Sequence, residues 1–77
     1  SLTFSFELPE KQAVNFAVYD LKGRKVYDRL YIPGVGGTYN VYWNAVNNLG
    51  QPVSAGIYIY EFYSNTTSKT GKVTYLK

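Results

Sequence analysis

Val14-Asn15-Phe16-Ala17-Val18-Tyr19 runs into Asp20-Leu21-Lys22-Gly23-Arg24, and the chain resumes at Lys25-Val26. The first segment puts Val14, Phe16 and Val18 on one side of an extended backbone, a period of two. Asp and Gly in the segment that follows are turn formers, because Asp bonds the backbone ahead of it and Gly accepts positive φ. The stretch is therefore a strand, a tight turn and a second strand. That second strand runs over about 25–32, with Val26, Leu30 and Ile32 in phase. Asp28 interrupts the phase, which predicts an edge strand or a bulge.

The same period recurs on both sides. Upstream, Leu2, Phe4, Phe6 and Leu8 share one face, with Thr3, Ser5 and Glu7 on the other. Downstream, Pro33-Gly34-Val35-Gly36-Gly37 breaks the chain before Tyr39, Val41 and Trp43 come into phase. A long loop from Asn44 to Ala55 follows. In the next strand Tyr58, Tyr60 and Phe62 share one face, and Ile57, Ile59, Glu61 and Tyr63 the other. Ser64-Asn65-Thr66-Thr67-Ser68 is a polar hairpin turn, and a last strand occupies about 69–76. Turn signals at this spacing, with no helical period anywhere, predict an all-β sandwich. A short additional strand is expected near Gln51–Ser54, bringing the total to about seven.

The chain has 77 residues, and no repeat or linker divides it, so residues 1–77 form a single domain. With no Cys, no disulfide or thiolate metal site can staple it. Apolar packing must hold it, and nine Tyr, four Phe and one Trp supply the area. Met is absent and the first residues already alternate as a strand, so the expected origin is a fragment of a larger protein.

Chemistry is scarce. Without His or Cys the commonest bases, nucleophiles and transition-metal ligands are missing. The five acids, Glu7, Glu10, Asp20, Asp28 and Glu61, do not pair as a glycosidase would need. Gly34-Val35-Gly36-Gly37 is not a phosphate loop, because no Lys-Ser/Thr and no helix follow it. The net charge is +3, but Lys22, Arg24, Lys25 and Arg29 are too dispersed for a nucleic-acid stripe. The expectation is a non-enzyme with no cofactor, no metal and no nucleic-acid partner.

Taken together, Phe6-Glu7-Leu8-Pro9-Glu10, the Val14–Val26 unit, Gly37-Thr38, Val41-Tyr42-Trp43-Asn44, Asn48-Leu49-Gly50-Gln51-Pro52-Val53-Ser54-Ala55-Gly56-Ile57-Tyr58 and Ser68–Lys77 form an ordered pattern. It resembles the FlgD-like immunoglobulin domain, in the version found at the C-termini of proteins exported by the type IX secretion system. The resemblance implies an immunoglobulin-like β-sandwich of about seven strands, placed after an upstream domain of the same chain. It implies a sorting and anchoring role, recognition by the outer-membrane secretion machinery, and a secreted or cell-surface location reached through the periplasm. The positions matching the sorting signal are Gly56, Tyr58, Lys72, Val73, Leu76 and Lys77. The family loop after the Trp often carries acids. Here it holds Asn44, Asn47 and Asn48, whose amides are poor ligands for a hard cation, so no calcium site is expected.

Three further sets stand out from the residues alone. Ile57, Ile59 and Tyr63 would face outward as an apolar stripe, a candidate interface. Tyr27, Tyr31 and Tyr42, with Arg29, fall on outward positions and could make a flat surface for a polysaccharide. That surface belongs to an alternative function, an ancillary carbohydrate-binding module of a secreted glycoside hydrolase; a structural spacer is the third. Trp43 is in phase with the core, and Tyr58 resembles the corner tyrosine of Greek-key sandwiches.

Overall fold

A computed structural model describes residues 2–8, 12–32 and 36–76. The strands are β1 (Leu2–Leu8), β2 (Val14–Tyr19), β3 (Lys25–Tyr31), β4 (Gly37–Trp43), β5 (Gly56–Tyr63) and β6 (Ser68–Tyr75). The described residues contain no helix. β1 and β4 form a two-stranded sheet; β3, β2, β5 and β6, in that order, form a four-stranded one, and every pairing is antiparallel.

The two sheets face each other through the side chains that the period-two pattern marks. Phe4 and Phe6 of the small sheet meet Phe16 and Phe62 of the large one, with ring centroids 5.4 Å apart for Phe4–Phe16 and 4.7 Å for Phe6–Phe62. Phe16 and Val18 are fully enclosed. Burying a side chain of this kind is worth about 1.5–3 kcal/mol. Trp43 lies in the same core, 1% exposed, edge-on to Tyr58 at 5.4 Å. Its indole N–H donates to the Val46 carbonyl at 2.8 Å, so the buried donor is satisfied.

Two loops repeat one piece of backbone chemistry. Asp20 Oδ1 accepts from the Lys22 and Arg24 amides, while the Gly23 amide donates to the Asp20 carbonyl and the Asp20 amide to the Arg24 carbonyl. Asn47 does the same with Leu49, Gln51 and Gly50. In each loop the fourth residue is a glycine at positive φ, 83° at Gly23 and 77° at Gly50, a region other residues enter at a cost. An Asx side chain followed three residues later by Gly is thus the local code for both turns.

Two expectations are corrected. Among the described residues there are six strands rather than about seven: near Gln51–Ser54 there is only an isolated bridge, Val46 with Pro52. Pro52 has no amide hydrogen, so a ladder cannot continue through it. In β3 the phase is reversed. Val18 pairs with Tyr27 but Tyr19 with Lys25, so Val26 is an extra residue, a β-bulge. Beyond it, Tyr27, Arg29 and Tyr31 lie opposite Val18, Phe16 and Val14 on the inner face. Leu30 and Ile32, expected inside, are exposed. Val26 still packs against the core, because the bulge turns both it and Tyr27 inward.

Candidate functional site

β5 and β6 are joined by a short turn in which Ser64 Oγ accepts from the Thr67 amide at 3.1 Å and the Ser64 amide donates to the Thr67 carbonyl at 2.8 Å. This closure fixes the register, and the register decides which residues share a face. Gly56 lies opposite Tyr75, Tyr58 opposite Val73 and Ile59 opposite Lys72. Of the residues expected to carry the sorting signal, Tyr58 and Val73 therefore form an inward pair against the core. Lys72 points to the outer face, Leu76 is 79% exposed, and Lys77 lies outside the described residues.

Tyr58 is held at both ends. Its ring packs on Trp43, and its hydroxyl donates to the Ser54 carbonyl, as a corner tyrosine does. Burial pushes this hydroxyl above the ordinary tyrosine pKa. A cleft of about 410 Å³ beside it is lined by Asp20, Arg24, Lys25, Asn47 and Ser54 among others. The Asp20 carboxylate and Asn47 amide in this cleft are engaged by their own turns, and Arg24 Nε donates to Asp20 at 2.8 Å. These groups hold the loops.

The outer face of the large sheet gathers the candidate interface. Ile57 and Tyr63 are exposed, and Ile59 is half-buried. Ile59 sits between Tyr19 of β2 and Lys72 of β6, and Tyr63 lies opposite Asn15 and Ser68. Lys72 and the apolar stripe are thus one surface, although alternation along single strands marks them as separate sets. Tyr19 and Leu30 join it. Alternation along β2 (Asn15, Ala17, Tyr19) points to Tyr19; only the bulge reveals Leu30.

The tyrosines expected to form a flat surface are not brought together. Tyr27 faces the core, 6.2 Å from Phe16 and 6.4 Å from Trp43. Tyr31 is on the same inner face, with the Arg29 guanidinium 5.1 Å from its ring centre; burial raises its hydroxyl pKa and Arg29 opposes the shift. Tyr42 is 61% exposed, but on the outer face of the other sheet, opposite Thr3. The bulge that inverts β3 turns Tyr27 and Tyr31 inward, and Tyr42 is apart from them because β4 belongs to the other sheet.

No family model matches the chain. No curated protein matches it either.

Proposed function

We propose that this chain is a non-catalytic sorting and anchoring domain of a secreted bacterial protein, recognised as a folded module by the type IX secretion machinery. The ordered sequence resemblance to FlgD-like immunoglobulin domains supports it. The observation that carries it into mechanism is the β5–β6 register, which sets Lys72 directly beside Ile59 on the solvent face while Tyr58 and Val73 lock the hairpin to the core. A recognisable cation beside an apolar stripe, on a rigid hairpin, is a surface a partner can read without the domain unfolding. In this reading the upstream domain is cargo, and the chain reaches the outer surface through the periplasm.

The test fuses residues 1–77 to a periplasm-directed fluorescent protein in a bacterium with a type IX system, beside a fusion lacking 69–77. Export of the full fusion alone supports sorting. Retention of both, with the full domain shown to be folded, refutes it and leaves a glycan-binding or spacer role.

A further inference from the structure

The small sheet has two edges, and they are treated differently. Lys69 Nζ crosses from β6 to donate to the Ser5 carbonyl at 2.9 Å, so the main-chain groups of Ser5 point away from β4. In an antiparallel ladder, residues in such a pair both turn their N–H and C=O outward, and the pattern alternates. Ser5 pairs with Asn40, Thr3 with Tyr42 and Glu7 with Thr38. The main-chain groups of Thr38, Asn40 and Tyr42 therefore project from the free side of β4. Among the described residues no strand pairs with them.

Each of the other edges carries charge. Lys69 spans the β1 edge and, with Lys72, marks β6. β3 carries Lys25, Asp28 and Arg29, and its Asp28 amide is capped by Asn48 Oδ1 at 3.0 Å. Such charges and caps prevent strand addition. β4 reads Gly37-Thr38-Tyr39-Asn40-Val41-Tyr42-Trp43, with neither a charge nor a proline. Beside it lies an apolar hollow of about 180 Å³ lined by Phe6, Tyr31, Ile32, Tyr39, Asn40 and Val41.

We propose that β4 is a homodimerisation edge, to which a second copy of the chain adds antiparallel with Asn40 opposite Asn40. In that register Thr38 meets Tyr42 of the second copy, and each of these pairs exchanges both main-chain bonds. Tyr39 and Val41 meet across the inner face and close the hollow. The arrangement is two-fold symmetric, as an isologous interface must be, and the two β4 strands themselves bring no like charges together. A two-stranded sheet is marginal alone. Pairing joins two such sheets into one of four strands, β1-β4-β4-β1. The self-complementary, uncharged register is what selects a second copy over a foreign strand.

Asn40 permits a clean test, because its side chain is exposed and its main-chain groups do not serve the β1 ladder. Asn40→Lys and Asn40→Asp place like charges opposite each other across the axis, while an equal mixture places opposite charges there. Sedimentation equilibrium of the 77-residue chain is expected to show a concentration-dependent dimer. Either variant alone should dimerise about fivefold or more weakly, and the mixture should recover the dimer. Amide exchange at Asn40 and Tyr42 should slow as the dimer fills. A wild-type chain that stays monomeric into the millimolar range overturns the proposal. So does a dimer indifferent to both variants, and failure of the mixture to recover overturns the two-fold register.

Discussion

Gly71→Ala should destabilise the domain through a single ring. Gly71 lies opposite Tyr60 on the inner face of the β5–β6 ladder. A Cβ placed there would sit 2.5 Å from the Tyr60 hydroxyl oxygen and 2.7 Å from two of its ring carbons. Ordinary carbon contacts are about 3.5–4.0 Å, so the ring must retreat by roughly 1 Å. It has little room, because Phe4 lies 4.6 Å from its centre on the core side and Phe62 at 6.0 Å. Overpacking of this kind costs about 1–3 kcal/mol. A chain of 77 residues has roughly 4–12 kcal/mol in total, so the loss is a large share. At about 4–8 °C per kcal/mol, thermal unfolding should fall by roughly 5–20 °C. The assay is urea denaturation of wild type, Gly71→Ala, Tyr60→Leu and the double variant. The steric account requires the alanine penalty to shrink to within about 0.5 kcal/mol of zero once the ring is gone. A Gly71→Ala variant as stable as wild type, or one equally costly in the Tyr60→Leu background, would refute it.

Trp43→Phe should cost about 2–4 kcal/mol in the same denaturation assay, since it opens a core cavity and strands the Val46 carbonyl. Ile57→Ser, on the exposed stripe, should stay within about 0.5 kcal/mol of wild type; a collapse would mean that the residue is core. The Lys22 and Arg24 amides and the Arg24 guanidinium hold the Asp20 carboxyl below its ordinary value of 3.8, the Arg24 amide foremost. A carboxylate with a lowered folded pKa adds stability that is full above the unfolded value and lost as pH falls through the folded one. Asp20→Asn keeps the turn, as Asn47 does in its twin, and should flatten the acid limb of the stability profile. An unchanged limb on acid titration by circular dichroism would contradict that assignment.

The strands that bury one clean face were legible in the sequence. In β1, β2 and β5 the alternating Phe, Val and Tyr positions are the ones that meet in the core, because one sheet face is apolar and period two admits only one phase. β3 was not, since a bulge adds a residue without a marker in composition, and Val26 and Tyr27 both suit an inner position. Asp28 signalled the irregularity but not its direction. No strand forms near Gln51–Ser54 because Pro52, amid strand-like neighbours, has no amide hydrogen to continue a ladder. At the site, the outward stripe of Ile57, Ile59 and Tyr63 followed from alternation. Its union with Lys72 did not, because a cross-strand neighbour depends on register, and register here rests on the Ser64–Thr67 closure. The separation of the three tyrosines was not legible either, since the bulge turns Tyr27 and Tyr31 inward and Tyr42 sits on the other sheet.

In the proposed function the folded outer face of the β5–β6 hairpin is the surface that the export machinery recognises. The most direct test is export of the 1–77 fusion carrying Lys72→Glu, with circular dichroism confirming that the domain is folded. Lys72 is exposed, so the substitution leaves the core untouched and reverses the charge beside Ile59. The wild-type fusion is expected to reach the medium or cell surface while the folded Lys72→Glu fusion accumulates in the periplasm. Equal export of the two would contradict it.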